Sequence, residues 1–212
     1  RRGGLHRADP GAGLASLVGH ADARVRLRAL QAAGELGRIE LRDACVDTAA
    51  APQTPPHDAL LAARAALLLG DRAAAIARTH TMALAPSPHQ ALAAWLTMLF
   101  GDADRARALV SALAKEAAVP SQRRLLIQAS GWSGDPKVVP WLLQQMEDLK
   151  VSRLAGEAFS SITGADLAKQ DLERMDTDEL RKLAPSGPTD DPEDDDVALD
   201  DDESLPWPKV DA

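Results

Sequence analysis

Five histidines (His6, His20, His57, His80 and His89), one cysteine (Cys45) and a dense run of carboxylates near the C-terminus are the side chains here that could ligate or react. The histidines show neither H-x-x-x-H nor H-E-x-x-H spacing, which would set two imidazoles on one helix face around zinc. A single cysteine excludes an intramolecular disulfide and a Cys-rich zinc site. Its alanine-rich surroundings suit a small buried hydrophobe in a reducing compartment. "SSITG" at 160–164 lacks the G-x-S-x-G nucleophile elbow, and no acid, base and oxyanion donor assemble anywhere. The expectation is a chain with no catalytic residues, no metal and no cofactor.

The stretch "GWSGDPKVVPWLL" (131–143) looks at first like a ligand loop. No GK[ST] follows it and no strand precedes it, so it fails as a phosphate loop. It reads instead as a helix boundary. Gly134 turns, Asp135 caps, and Pro136 takes the first helical position, where a missing N–H costs nothing. Pro140 would then fall inside the next helix and kink it.

The run "TDDPEDDDVALDDDE" holds ten carboxylates among residues 190–203. Residues 186–212 carry eleven acids and one lysine, a balance of −10, against −8 for the whole chain, so the other 185 residues sum to +2. A near-neutral body offers no basic stripe for nucleic acid. Self-repulsion and low apolar content make the tail a flexible, solvated segment by default. Its functional alternative is binding the basic surface of a partner, or mimicking a nucleic-acid backbone, through Asp194, Asp195, Asp196, Asp200, Asp201 and Asp202. Calcium fits less well, because the D-x-D-x-D-G loop and its closing Glu are missing. Trp207, between two prolines, is either a docking peptide or the start of another helix pair.

The elements that must position these residues follow from composition and period. Alanine supplies 41 residues while aromatics are only 3%, which favours closely packed helices over any sheet. Five small and apolar segments end in Gly37, Gly70, Gly101, Gly134 and Gly164, at intervals of 33, 31, 33 and 30 residues. A period in the range ~20–50 is the signature of a solenoid. Each glycine is expected to be a left-handed C-cap, and Asp71, Asp102 and Asp135 are expected to cap the helix that follows. First helices are predicted near 5–18, 40–50, 72–84, 103–117 and 136–148, and second helices near 22–36, 57–69, 88–100, 121–133 and 151–163. "ADLAKQDLERMD" (165–176) and "DELRKL" (178–183) are predicted to be polar capping helices.

The expected architecture is therefore all-α. An α-solenoid of about five two-helix repeats spans 1–184, and an acidic, flexible tail with a Pro-Trp-Pro segment spans 185–212. No apolar run nears the ~20 residues needed to cross a bilayer, and no leader pattern opens the chain, so a cytoplasmic protein is expected. The start at Arg1 rather than Met points to a piece of something longer. Solenoids of this kind bind along the wall built by the second helices. Thirteen and six residues before each repeat glycine, two columns share one helix face: Arg24, His57, Pro88 and Ser121, then Gln31, Arg64, Trp95 and Gln128. The remaining columns are nearly all apolar, so this polar stripe is the candidate partner-binding wall, with Arg64 and Trp95 as anchors. The alternative places Trp95 in the core.

"ADARVRLRALQAAGELG" (21–37) resembles a HEAT-like repeat of the short bacterial kind, with Asp22, Val25, Arg26 and Ala29 in the motif positions. Later copies depart from it: Ala59 and Gln90 stand where Arg26 does, and Arg123 and Arg153 restore the arginine. A narrower resemblance covers residues 131–207. There "GWSGDPKVVPWLL", "AGEAFSSITG" and "LPWP" are similar to an uncharacterised bacterial HEAT-repeat family whose genes often sit near type VI secretion genes. That resemblance implies a non-catalytic interaction module, an immunity protein occluding a secreted toxin with its concave wall and acidic tail, and a chain continuing past "LPWP". The alternatives are a scaffold or assembly accessory of a secretion system and, less favoured, a HEAT-like DNA glycosylase, which would need a basic concave face. Bilin-lyase relatives of such repeats are a further alternative, without a visible pigment motif.

Overall fold

A computed structural model describes residues 11–174, 180 and 200–209 of the chain. It is all-α: ten α-helices and no strand among the described residues. We number them α1 (Ala12–Leu17), α2 (Ala23–Leu36), α3 (Arg42–Ala50), α4 (Pro56–Leu68), α5 (Ala74–Ala83), α6 (Gln90–Phe100), α7 (Ala103–Leu113), α8 (Pro120–Ser133), α9 (Val139–Gln145) and α10 (Ser152–Thr163). Short 3-10 turns precede α3 and α9 and follow α7. The chain divides into two compact units, Arg1–Leu109 and Val110–Ala212.

Capping chemistry sets the boundaries. The Asp22 carboxylate accepts from the N–H of Arg24 at 2.8 Å, Asp71 from Ala75 at 2.7 Å, Asp102 from Arg105 at 2.8 Å and Asp135 from Lys137 at 3.0 Å. Each supplies an oxygen to a first-turn donor that has no intrahelical partner. At the other ends Gly37, Gly70, Gly134 and Gly164 are left-handed, as expected. Gly101 is not; its φ is −80°. It is needed for a different reason, because a Cβ there would lie 2.5 Å from the Thr97 carbonyl oxygen.

In the first unit α4 packs against α2 and touches α6, while α3 and α5 pack against α4 from the other layer and α5 supports α6. Alanine makes that spacing work: Ala59, Ala62, Ala63, Ala65 and Ala66 of α4 are all buried, as are Ala93 and Ala94 of α6. Gly34 of α2 meets α4 so closely that a Cβ would sit 2.8 Å from the Ala65 Cα. The second unit repeats the device. Gly131 of α8 crosses α10 where a Cβ would sit 2.9 Å from the Ala158 Cα. Ile127, Leu142, Met146, Val151, Leu154 and Ala155 form its core between α8, α9 and α10.

Two further expectations are corrected. Pro140 does not kink a helix interior: residues 136–138 form a separate 3-10 turn, and Pro140 lies in the first turn of α9, where its missing N–H has no intrahelical acceptor to lose. Nor is 165–174 a helix. One turn closes on a hydrogen bond from the Leu172 N–H to the Leu167 carbonyl (2.8 Å), with Asp171 left-handed at φ 55°. The chain then runs extended, and Glu173 pairs antiparallel with Pro208. Tertiary pairing with the C-terminal segment overrides the helical period there. "DELRKL", apart from Leu180, lies outside the described residues.

Candidate partner-binding surfaces

Eleven residues before Gly37, Gly101 and Gly134, one polar side chain ties its helix to a neighbouring segment. Arg26 donates from Nη1 to the His20 carbonyl at 2.6 Å. Gln90, at the same repeat position, donates to the Ala83 carbonyl at 3.0 Å. Arg123 bonds Gln145 at 2.8 Å and Asp148 at 2.6 Å, joining α8 to the end of α9. The arginines that carry the HEAT-like resemblance thus act as tethers at Arg26 and Arg123. Beside Arg26 a cleft of about 420 Å³ opens between α2, α3 and α4, with Asp47, Thr48, Gln53 and Asp58 on its rim. Among the described residues no three His, Cys, Asp or Glu side chains group to hold a metal ion.

The predicted stripe faces solvent. Arg24, His57, Pro88 and Ser121 are exposed; Gln31, Arg64 and Gln128 are half-buried. Trp95 is 39% exposed, so it is not a core tryptophan. The His57 and His89 rings approach to 5.3 Å at the start of α4 and α6. Helix periodicity places more on this face than the polar columns. Positions three or four away from Trp95 share its side, and Leu92 (39%) and Leu99 (56%) are exposed there. Leu68 (43%) occupies on α4 the place of Leu99 on α6. Sequence reading missed these leucines because it assigned every apolar column to the core.

The opposite holds in the second unit, where Asp200, Asp202 and Trp207 are engaged within the chain. Arg153 donates to the Asp200 carboxylate at 2.5 Å, and both Asp202 oxygens receive the Arg124 guanidinium, at 3.0 and 2.7 Å. The Trp207 ring covers the Arg153 guanidinium, 4.6 Å from carbon to centroid. Burial disfavours the Asp200 charge. The Arg153 hydrogen bond, the Asp202 N–H and the positive charges of Arg153 and Arg124 outweigh it and hold the carboxyl below its ordinary range. Asp201 is exposed. Asp194, Asp195 and Asp196 lie outside the described residues. The flexible tail expected from residue 185 therefore does not extend through 200–209, because Arg124 and Arg153 supply the compensation that a solvated acidic run lacks. Arg124 and Arg153 were not singled out as partners for the tail; nothing local pairs residues 78 and 47 positions apart.

Cys45 is fully buried in α3, and burial pushes its thiol up to about 11. No described helix is long and apolar enough to cross a membrane. No family model matches this chain, and no curated protein or solved structure matches it.

Proposed function

We propose that this chain is a non-catalytic protein-interaction module of the α-solenoid type, and that the solvent-exposed face of α4 and α6 is its partner-binding surface. The observation that carries this reading is the exposure of Leu92, Trp95 and Leu99 along one face of α6, with Leu68 exposed at the equivalent position of α4. Scattered exposed leucines are ordinary; three large apolar side chains in line on one helix face are not, and such patches mark interaction sites. Trp95 is the anchor type enriched at binding hot spots, and Arg64 stands at its repeat position on α4.

On this reading the resemblance to HEAT-repeat proteins encoded near type VI secretion genes supplies the class of partner: a secreted toxin, which the module neutralises in the cytoplasm by occlusion. The wall contributes apolar contact, and the carboxylates of residues 190–196 supply negative charge for a basic cleft. A second reading, the scaffold of a secretion assembly, is favoured by the engagement of Asp200, Asp202 and Trp207 within the chain, which leaves less of the tail for blocking.

Affinity capture from the native lysate tests both readings, using the full chain, a chain ending at Pro185 and the full chain carrying Trp95→Ala and Leu99→Asp. Under the neutralising reading one stoichiometric partner is lost with the wall variant and weakened by tail removal, and co-expression of the full chain rescues growth against that partner. Capture unaffected by the wall substitutions sinks the assigned surface. Multiple secretion components retained equally with and without the tail select the scaffold.

A further inference from the structure

The segment 200–209 is bound in the manner of a peptide ligand. Its first half turns tightly, with the Glu203 N–H donating to the Asp200 carbonyl at 3.2 Å and the Leu205 N–H to the Asp202 carbonyl at 2.9 Å, and its end pairs with Glu173, so its side chains are read by pockets and a short strand addition, as a bound peptide's are. Asp200 and Asp202 pair with Arg153 and Arg124. Leu205 packs against the core cluster of α8, α9 and α10. Trp207 covers Arg153, and Pro208 is fully buried. Gly156 leaves the slot for that proline: a Cβ on it would stand 3.2 Å from the proline ring. The main chain completes the reading. Arg174 donates its N–H to the Trp207 carbonyl at 2.7 Å, and Lys209 donates to the Leu172 carbonyl at 2.8 Å.

The receiving surface belongs to α8, α10 and residues 172–174, and it demands an anion. Arg153 is only 9% exposed, and Asp202 only 6%. An occupant that covered Arg153 as Trp207 does but brought no carboxylate would leave the guanidinium charged and unpaired at a mostly buried position, a costly arrangement. We infer that this surface is a binding groove for a segment of the form Asp-x-Asp-x-x-Leu-x-Trp-Pro, filled here by the chain's own residues 200–209 and open to the same segment presented by a second copy of the chain. Both halves of such an exchange are on every copy: the groove and its ligand. Replacing one segment by the other remakes the same ion pairs, the same Trp–Arg stack and the same bridge, so it changes little beyond the entropy of association. This inference is independent of the α4/α6 surface.

The probe is a fluorescein-labelled peptide of residues 198–212, ALDDDESLPWPKVDA. It is titrated into the full wild-type chain and into the full chain carrying Asp202→Asn and Trp207→Ala, whose own segment is weakened. The variant is expected to bind one peptide at least tenfold more tightly than wild type, because its internal competitor is impaired. Adding Arg124→Glu abolishes binding, and raising salt from 50 to 500 mM weakens it. A variant that melts cooperatively yet takes no peptide overturns the inference, as does a scrambled peptide binding equally well. Should the double variant not melt cooperatively, Asp202→Asn alone repeats the comparison. Loss of cooperative folding in that variant too would show the segment to be core rather than ligand, which also overturns the inference.

Discussion

Replacing Gly131 by alanine sets two opposing effects against each other at one position. Alanine in a helix interior is favoured over glycine by ~1 kcal/mol, so on an open helix face the change would stabilise α8. Gly131 is not on an open face. The added Cβ would meet the Ala158 Cα at 2.9 Å and the Ala158 Cβ at 3.0 Å. Ordinary carbon–carbon separations are ~3.5–4.0 Å, so α8 and α10 must part by ~0.5–1 Å at their crossing. The obstructing atom is backbone, so no side-chain rotation relieves it. Parting the helices loosens the packing of Ile127, Leu154 and Ala155 around the crossing. Overpacking of this kind costs ~1–3 kcal/mol, which exceeds the propensity gain. The expected net is a destabilisation of ~1 kcal/mol, a fall in melting temperature of ~4–8 °C where the second unit unfolds on its own. Gly131→Leu should be worse. Adding Ala158→Gly should rescue only part of the loss, because it removes the obstructing methyl group and leaves the backbone carbon behind it in place. Thermal melts by circular dichroism, checked by urea unfolding, decide it. A Gly131→Ala chain that melts at or above the wild-type temperature would refute the close crossing of α8 and α10.

Three further outcomes follow from the described residues. Cys45, buried with its thiol raised to about 11, should resist an aromatic disulfide reagent at pH 8 in the native chain and react at once in urea; rapid native labelling would place it at the surface. Asp200 has a folded pKa below its unfolded value, so its contribution is present above the unfolded value near ~4 and is lost as pH falls through the depressed folded one. Melting temperature measured from pH ~6 down to ~2 should therefore fall less steeply in Asp200→Asn than in wild type, and equal slopes would deny the Arg153 pairing. Trp95→Ala combined with Leu99→Asp should change stability by no more than ~1 kcal/mol, since both side chains are substantially exposed, and a loss of several kcal/mol would return Trp95 to the core.

The sequence by itself determined most of the places where helices begin and end. That information is local: an aspartate side chain reaches an N–H two to four residues ahead, as at Asp22, Asp71 and Asp135, and glycine admits the left-handed turn at Gly37 and Gly134. Alanine content determined the all-α class for a similarly local reason, through helix propensity and small radius. Which apolar columns are buried was not local. Leu92 and Leu96 are both leucines on α6, yet one is 39% exposed and the other 1%, because only the neighbouring helices decide which face is covered. The same limit explains the glycine at 101, kept for a carbonyl approach rather than a left-handed turn. It also explains the failed helix at 165–174. The helical pattern is present there, but the partner of residues 172–174 lies at 207–209, and pairing across that separation leaves no trace in a window of neighbours. Composition made the acidic run legible as repulsive charge. Only the tertiary structure sets Arg124 and Arg153 where they turn Asp200 and Asp202 from repelling charges into paired ones.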